Sequence, residues 1–309
     1  MEYKKLPDIR GWAALRAIVE KGGVSAAAQA LNVGQPAITK RLHTLEESYG
    51  VVLLERSGGR LRLTKAGEKV YLLAVQTLDR QMSLRRELDE LMLGKTTVHL
   101  DVTIAIGEHF LPRFLLKFAE LYPHYRIESR LVYGRQSESS LVTGMTDVAL
   151  LERTPEHPDL MVQKWMDDEL LLVCAPDHPL AEEEMIPITM LLDLSYVLRE
   201  VGSAARLDLH EALEAIGFDK LNIAMEVGGT EAIVDVLIPG QHVSFLPRFA
   251  VIKHIQAGRL HHIKVCGFRI MRTLWIARHK TNIDLPIADA LIAIIRQEQI
   301  AKPRPKARP

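Results

Sequence analysis

The fold of the first part of this chain is decided by residues 24–67, VSAAAQALNVGQPAITKRLHTLEESYGVVLLERSGGRLRLTKAG. Closely spaced alanines predict a short helix that packs tightly on a neighbour, and Asn32-Val33-Gly34 predicts a turn after it. Pro36 suits the first turn of a second helix, because its missing N–H would be unpaired there. The buried stripe of this second helix recurs at helical spacing and comprises Ile38, Leu42 and Leu45.

The outward face of the second helix carries side chains that can recognise DNA. Amides read base edges in the major groove, and cations hold phosphates. A basic hairpin follows, with positive residues on both sides of the turn at Ser57-Gly58-Gly59. We therefore predict that the DNA contacts are Gln35, Pro36, Thr39, Lys40, Arg41, His43, Arg56, Arg60 and Arg62.

The charge of the chain is unevenly distributed. Residues 1–66 contain 11 Lys and Arg against 6 Asp and Glu, whereas the whole chain contains 39 of each. The first 66 residues are therefore basic and the remainder is acidic, as expected of a basic DNA-binding head joined to a more acidic body. The alternative is an ordinary helical hairpin with solvated charges, which the combined spacing, turn and outward polar residues disfavour.

These motifs resemble the N-terminal winged helix-turn-helix of LysR-type transcriptional regulators. Gly34 departs from the family pattern, which usually has Ser there; Gly is a tolerable helix cap but offers no side-chain acceptor. We therefore expect a slightly weaker start to the recognition helix. The matching stretches are Ser25-Ala26-Ala27-Ala28, Gln35-Pro36-Ala37-Ile38-Thr39, Leu45-Glu46, Tyr49-Gly50, Leu54-Glu55-Arg56 and Leu63-Thr64-Lys65-Ala66-Gly67.

Composition limits the class of protein. A chain of 309 residues has room for two or three domains with their own cores. We find no signal peptide and no run of about 18 apolar residues, so we expect a soluble, cytoplasmic protein without a membrane segment. Its two cysteines, Cys174 and Cys266, exclude a disulfide framework. A redox-sensing pair is the alternative to two inert hydrophobic side chains.

Residues 64–93 predict one long helix that pairs with a second copy. Its seam positions step at the 3.5-residue period of a coiled coil, with two polar interruptions that would set the register. A helix of this length spans roughly 45 Å, enough to hold a DNA-binding head away from a body. The alternative is a surface helix packed on its own domain, but the family resemblance favours a dimerising linker ended by Gly94. The seam positions are Val70, Ala74, Thr77, Gln81, Leu84, Leu88 and Leu91.

From Val98 onward, strands alternate with helices, which predicts parallel sheets with helices on both faces. The last strand and helix return to the first group, so a second lobe is inserted between two crossings of the chain. The predicted strands are 98–104, 126–133, 147–151, 170–175, 196–198, 243–246 and 273–277, and the predicted helices are 110–121, 138–142, 205–216, 230–237 and 287–299.

This layout resembles the two-lobed effector domain of the same family, which is similar to type II periplasmic binding proteins. The segment 238–242 departs from the small-residue turn that the family often has there. Matches in this part include Phe110-Leu111-Pro112, Asp147-Val148-Ala149-Leu150 and Gly229-Thr230-Glu231-Ala232-Ile233. The resulting multidomain α and α/β organisation is a winged helix-turn-helix (1–65), a linker helix (66–95), an effector domain (96–301) and a disordered basic tail (302–309). Lobe I comprises 96–168 and 269–300, and lobe II comprises 169–268.

A small-molecule site is expected at the carboxyl ends of the strands, against helix N-termini whose free N–H groups attract anions. Four loops meet this description, 103–107, 134–137, 202–206 and 228–231, and they match the family's effector cleft. Hydroxyl groups in these loops either cap the helices or contact the ligand. The predicted effector contacts are Thr103, Ile104, Ala105, Arg135, Gln136, Ser137, Gly202, Ser203 and Thr230.

No catalytic or metal site is predicted. Glu108, His109 and Asp147 lack a recognisable catalytic or metal-binding spacing, and no H-x-x-x-H, C-x-x-C or G-x-S-x-G motif occurs. His261 and His262 fit a solvated pair better than a metal site. We expect no cofactor other than a small effector.

The resemblance implies a regulator that binds double-stranded promoter DNA sequence-specifically and responds to a small anionic effector. It also implies self-assembly into a dimer or a tetramer built as a dimer of dimers, with RNA polymerase as a candidate partner. One alternative is a DNA-binding protein that needs no ligand. Another is a solute-binding or enzymatic α/β body with an accessory DNA-binding head.

Overall fold

A computed structural model describes residues 7–57, 60–93, 97–218, 220–282 and 285–297. These residues form two compact units: the first comprises the described residues up to Leu93 together with Thr143–Met145, and the second comprises the other described residues from Thr97 onward. The predicted basic tail, Gly94 and the Gly58-Gly59 turn lie outside the described residues. The first unit contains α1 (Ile9–Lys21), α2 (Val24–Ala30), α3 (Gln35–Tyr49), β1 (Leu54–Ser57), β2 (Arg60–Leu63) and α4 (Lys65–Leu93).

Helices α1 to α3 pack around small and branched apolar side chains. Ile18, Ala27 and Ile38 are buried in one cluster, where the alanine permits close approach of the helices. Asp8 caps α1, because its side chain accepts a hydrogen bond from the Arg10 N–H at 3.1 Å. The two predicted helices are confirmed as α2 and α3, and α1 is a further helix that precedes the predicted motif.

The Leu45-Glu46 motif fixes the chain after α3. Leu45 is buried, as predicted, and the Glu46 carboxylate accepts a hydrogen bond from the Leu53 N–H at 2.7 Å. This hydrogen bond fixes the position of Leu53, the residue directly before the hairpin. Strands β1 and β2 then pair antiparallel, with Leu54 opposite Leu63.

Gly67 allows α4 to begin directly against the segment before β1. A Cβ atom at this position would lie 2.0 Å from the Leu53 carbonyl oxygen, so a side chain cannot be accommodated without backbone movement. Thr64 precedes the helix, and its Oγ1 accepts a hydrogen bond from the Gly67 N–H at 2.9 Å. Close packing thus explains the Thr and Gly of the family motif.

The long helix is confirmed as α4, but the predicted seam is wrong over its first two positions. Ala74 is fully buried within the first unit, and Val70 packs in a cluster that contains Leu15 and Leu45. The head itself packs on these two side chains, so they do not form the centre of a seam with a second copy. Farther along the helix, Leu84 and Leu88 are 42% and 53% exposed.

The second unit is built on one mixed sheet in which nine strands are described, in the order β4-β3-β5-β11-β6-β9-β7-β8, with β10 paired to β6. Its strands are β3 (Thr97–Thr103), β4 (Arg126–Val132), β5 (Val148–Leu151), β6 (Leu160–Cys174), β7 (Ser195–Arg199), β8 (Asn222–Val227), β9 (Val243–Pro247), β10 (His261–Ile263) and β11 (Ile270–His279). Its helices are α5 (Ile104–Leu121), α6 (Gly134–Val142), α7 (Ala204–Glu214), α8 (Thr230–Leu237), α9 (Arg248–Gln256) and α10 (Pro286–Gln297).

The two ends of the sheet are parallel and its centre is antiparallel. Strand β3 runs parallel to β4 and β5, and β7 runs parallel to β8 and β9. The long strands β6 and β11 pair antiparallel between these groups, and β11 also pairs with β5, as predicted for the returning chain. The prediction of parallel strands is therefore wrong for the centre, where the chain crosses between the lobes twice in opposite directions.

Two of the predicted loops are helical. Helix α5 begins at Ile104 and α6 begins at Gly134, so residues 104–107 and 134–137 form the first turns of these helices. Gly107 marks close packing and not a loop, since a Cβ there would lie 2.1 Å from Leu131 Cδ2. The segment 238–242 forms a short turn between α8 and β9.

The apolar core of the second unit forms one large cluster and two smaller ones. The large cluster joins Phe110 and Phe114 of α5 to Ile233 of α8 and Leu291 of α10. One smaller cluster surrounds α7 and the strands beneath it, and the other includes Leu141 of α6. Within the described ranges, no helix is both long and apolar enough to cross a membrane.

Candidate DNA interface and effector cleft

The outward face of α3 is polar. Gln35, Pro36, Thr39, Lys40 and His43 are exposed, whereas Arg41 is half-buried at the side of the helix. The Gln35 Nε2 donates a hydrogen bond to Ser25 Oγ at 2.8 Å, and Thr39 Oγ1 donates to the Gln35 carbonyl at 3.2 Å. The first of these bonds holds the Gln35 side chain against α2.

Gly34 is the N-cap residue of α3, and no side chain among the described residues caps the helix there. This agrees with the expectation drawn from the missing serine. The first turn contains Pro36, which has no N–H to satisfy, so little capping is lost.

The hairpin presents its arginines on two faces. Arg56 lies opposite Leu61, and Arg62 lies opposite Glu55 in the β1–β2 register. Because side chains alternate along a strand, Arg56 and Arg62 project from opposite faces of the hairpin. The predicted set of basic residues is therefore divided, and Arg62 shares its face with a carboxylate. The side chain of Arg60 lies outside the described residues.

In the second unit, two predicted effector contacts are buried hydroxyls. Thr103 is the N-cap residue of α5, and Ser137 lies in the first turn of α6. Neither Thr103 Oγ1 nor Ser137 Oγ has a hydrogen-bond partner among the residues that the structure describes. Buried hydroxyls normally find a partner, so these two atoms are available to a ligand.

The other two predicted hydroxyls already have partners within the chain. Ser203 Oγ accepts a hydrogen bond from the Arg206 N–H at 3.3 Å and caps α7. Thr230 Oγ1 accepts one from the buried Arg199 guanidinium at 3.1 Å. These two residues therefore support the local structure.

The remaining predicted contacts differ in their accessibility. Arg135, Gln136 and Gly202 are exposed, Ile104 is half-buried and Ala105 is fully buried. Ala105 therefore offers a ligand its backbone at most.

Carboxylates that the sequence prediction does not include join the four segments. Glu108 Oε2 accepts a hydrogen bond from the Thr230 N–H at 3.1 Å, linking α5 to the start of α8. Glu200 accepts two bonds of 2.8 Å from Arg199, and a third of 3.1 Å from the Tyr133 hydroxyl at the end of β4. The ends of the strands in both lobes are thus brought together by these contacts.

The ionisation of these carboxyl groups follows from their surroundings. Partial burial raises the pKa of Glu108, although the bond from Thr230 and the charge of Arg199 oppose the effect. Burial would also raise the pKa of Glu200, but the hydrogen bonds from Arg199 outweigh it and hold that pKa below its usual value. Glu200 is therefore a firmly ionised partner of Arg199, while the charge on Glu108 is less favourable.

A buried ion network lies where the chain crosses between the lobes. Arg272 of β11 donates to Asp168 of β6 at 2.9 Å and pairs with Glu152 at 2.9 Å. Its guanidinium also reaches Asp208 of α7 at 3.5 Å. Asp208 in turn accepts a hydrogen bond from Arg153 at 2.7 Å. The network ties α7 to the crossing strands.

The residues considered for catalysis have structural partners. Asp147 accepts a hydrogen bond from the His99 N–H at 2.9 Å, and His109 lies 3.7 Å from Glu231. His261 and His262 are neighbours on β10, so their side chains point to opposite faces and cannot share one ion. Both histidines are half-buried, not fully solvated, and burial lowers the pKa of His262. Among the described residues, no group of His, Cys, Asp or Glu is arranged to hold a metal ion.

The two cysteines have different environments. Cys174 is buried, and burial, with a smaller effect of Asp177, raises the pKa of its thiol to about 12. Cys266 is exposed. The Cys174 thiol therefore remains protonated and unreactive near neutral pH.

Two family descriptions match the chain. "Bacterial regulatory helix-turn-helix protein, lysR family" matches residues 9–68, and "LysR substrate binding domain" matches residues 93–299. Among curated relatives, the HTH-type transcriptional activator CmpR of Synechocystis is 27% identical over 274 residues, 86% of this chain and 87% of CmpR.

Solved structures share the fold. The regulatory domain of Synechocystis CcmR in complex with 2-PG is 25% identical, with a TM-score of 0.58 over 64% of this chain and 95% of that domain. Full-length CbnR complexed with its target DNA is 21% identical, with a TM-score of 0.59 over 94% of this chain and 99% of CbnR.

Proposed function

We propose that this chain, which belongs to the LysR family of transcriptional regulators, binds promoter DNA through α3 and the β1–β2 wing under the control of a small anion bound between its two lobes. The observation that carries the DNA-binding part is the exposed polar face of α3. The observation that carries the effector part is the pair of unpartnered hydroxyls at the starts of α5 and α6.

Gln35 is the residue that best supports base readout. An amide can donate and accept at the same time, which matches the edge of adenine in the major groove. Its bond to Ser25 would be exchanged for bonds to a base. Lys40 and Arg62 are exposed and would hold phosphates. CbnR, whose fold resembles this chain, has been solved with its target DNA, which supports the same use of the head here.

Thr103 and Ser137 support an anionic effector. Both lie at helix N-termini, where the partial positive charge of the helix and free N–H groups favour anions. A buried hydroxyl without a partner costs about 1–3 kcal/mol, which a hydrogen bond to a ligand would recover. The CcmR regulatory domain binds 2-PG, which supports a small-molecule site in the same region of this chain.

Self-assembly is part of the proposal. We infer a dimer, or a tetramer built as a dimer of dimers, paired in part through Leu84, Leu88 and the exposed Met92 of α4. Bound at a promoter, such an assembly would contact RNA polymerase. We propose no catalytic reaction and no cofactor for this chain.

The effector part is tested with the full chain. Small organic acids and inorganic anions are first screened by thermal shift, and hits are titrated by calorimetry against wild type and Thr103→Val. The substitution keeps the shape and removes the hydroxyl, so affinity should fall about fivefold or more, equivalent to about 1 kcal/mol.

Ser244→Ala is the matched control, because Ser244 is also buried and its Oγ is unpartnered among the described residues, but it lies within β9. DNA binding without effector should survive in both variants. Equal effector affinities in all three proteins would place the ligand outside the cleft.

A further inference from the structure

A groove of about 270 Å³ opens on lobe II, between α7 and the segment that leads into β8. Helix α7 forms one wall through residues spaced three and four apart, and Phe218, Lys220 and Leu221 line the other wall. We call this the α7 groove. Its lining includes Arg206, Leu209, His210, Leu213, Phe218 and Lys220.

Within the described ranges, the half-buried Arg206 has no ion pair like those of the buried Arg199 and Arg272. Arg199 pairs with Glu200 at 2.8 Å, and Arg272 pairs with Asp168 at 2.9 Å. By contrast, Arg206 Nη1 is buried and no described group accepts a hydrogen bond from it.

Partial burial lowers the pKa of Arg206, and the charge of Glu226 opposes this effect only in part. A guanidinium nitrogen that is buried without a partner is costly, and a bound carboxylate would relieve that cost. The part of the groove beside Arg206 therefore favours an anion.

The rest of the groove is suited to an apolar group. Leu209 and Leu213 are buried and form its floor, and Phe218 is half-buried beside them. His210 and Lys220 are exposed at its rim, where Lys220 adds a second positive charge. The volume lies just below the range of about 300–1,000 Å³ typical of drug-sized ligands, which restricts the occupant to a small molecule.

We propose that the α7 groove binds a small monocarboxylate with an apolar body, whose carboxylate pairs with Arg206 and whose apolar body lies over Leu209 and Leu213. This site is separate from the cleft between the lobes. It does not depend on the identity of the effector proposed there.

The groove lies on the face of α7 opposite to the interlobe network. At 100° per residue, Arg206, Leu209 and Leu213 share one side of the helix, whereas Asp208 lies on the other side and holds Arg153 and Arg272. A ligand in the groove therefore packs against the same helix that ties lobe II to the crossing strands.

The test is a calorimetric titration of the full chain with octanoate at neutral pH. Octanol has the apolar chain without the charge, and sulfate has charge without the chain, so both should bind at least tenfold more weakly. Benzoate tests whether a ring fits as well as an alkyl chain. As long as octanoate binds, the site is supported whichever of the two carboxylates binds more tightly.

Two variants test the assignment to this groove. Arg206→Gln should weaken octanoate binding at least tenfold and raise the thermal unfolding midpoint without ligand, because the unpaired charge is removed. Ile223→Glu adds a negative charge, of the same sign as the octanoate carboxylate, at a 41% exposed position of the groove. This variant should also weaken octanoate binding and should still fold. Lys264→Gln, which changes an exposed cation elsewhere in lobe II, should leave binding unchanged.

The proposal is overturned if octanoate gives no binding heat, or if it binds Arg206→Gln as tightly as wild type. Equal affinity for octanoate and sulfate would also contradict it, because the apolar floor would then contribute nothing. Thr103→Val must leave octanoate affinity unchanged. A loss of octanoate affinity in that variant would place octanoate in the interlobe cleft. This result would overturn the separate site whether or not the proposed effector binds in the cleft.

Discussion

At the residue scale, Glu108 occupies a position where the proposed cleft would otherwise offer a donor to an anion. Its carboxylate takes the Thr230 N–H, the kind of helix N-terminal donor that would bind an effector anion. Thr230 Oγ1 accepts from Arg199, so both the N–H and the hydroxyl of Thr230 are engaged by the chain itself. In the function proposed above, an anionic effector would displace Glu108 or bind at the starts of α5 and α6, where Thr103 Oγ1 and Ser137 Oγ have no partner among the described residues.

The substitution Glu108→Gln removes the charge and keeps a hydrogen-bond acceptor. Since the folded-state pKa of Glu108 is raised, its stabilising contribution is present at low pH and is lost as pH rises through that value. The variant should therefore unfold at a slightly higher temperature than wild type at pH 8, and the difference should vanish towards pH 4. Thermal unfolding across this pH range measures it, with the exposed Glu182→Gln as control.

The same variant should bind an anion found by screening several-fold more tightly, because two like charges near each other cost about 1 kcal/mol even in water. A variant with lower stability at pH 8 and unchanged anion affinity would show that Glu108 does not oppose the ligand.

Sequence patterns nominate four hydroxyls at strand ends and helix starts, but not the carboxylates that contact these segments. Thr103, Ser137, Ser203 and Thr230 lie next to predicted strand ends or helix starts, so local pattern suffices to nominate them. Glu108 lies on the second turn of α5, and its partner Thr230 is 122 residues away in the chain. Only the packing of α5 beside α8 brings them together, and no local pattern encodes that.

At the element scale, the start of α4 depends on Gly67. We predict that Gly67→Ala destabilises the first unit by about 1–3 kcal/mol or more, because the new Cβ would meet the Leu53 carbonyl oxygen at 2.0 Å. Chemical denaturation of the full chain, followed by a probe in the head such as Trp12, measures the loss.

Gly23→Ala is the matched control for Gly67→Ala. No described atom lies within 4 Å of a Cβ at Gly23, so this variant should lose only the difference between glycine and alanine at the N-cap of α2, about 0.5–1 kcal/mol. If both variants were equally stable, the close approach of α4 would not be the reason for a glycine at position 67.

The second half of α4 carries the predicted pairing surface. Leu84→Lys combined with Leu88→Lys should reduce the oligomer mass seen by light scattering, because lysines buried in a seam cost several kcal/mol when unpaired. The double variant Gln76→Lys and Asp89→Lys adds the same number of lysines at exposed positions outside the seam and should keep the mass. An unchanged mass in the first double variant would make α4 a surface helix of its own unit.

Helix existence was easier to predict than helix limits. Residues 65–93 have an unbroken helical pattern, and the helix ends within a residue of prediction. Helix α5 begins six residues before its predicted start, because the sequence at 104–109 contains a glycine whose packing role against Leu131 is tertiary. The seam pattern on α4 likewise cannot tell which apolar positions the head covers.

At the scale of the whole molecule, the two-lobed effector domain was predictable and the centre of its sheet was not. The βα alternation identifies the parallel groups, and β11 pairs with β5 as expected. Strand β6 begins ten residues earlier than predicted, since Gln163, Lys164 and Asp167 interrupt its apolar pattern. Those residues belong to a crossing strand whose partner, β11, is about 100 residues away in the chain.

The central claim is sequence-specific DNA binding by the head, and selection from a random duplex library tests it most directly. Wild type should enrich one symmetric sequence, because a homo-oligomer presents two heads to the DNA. On that sequence, Gln35→Ala should lose about 1–3 kcal/mol and show a blunted sequence preference. Arg62→Ala should weaken all sequences alike and lower the slope of log affinity against log salt by roughly one. Two results would contradict base readout by α3. One is that no sequence is enriched, and the other is that both variants bind the enriched sequence with wild-type affinity and the same salt slope.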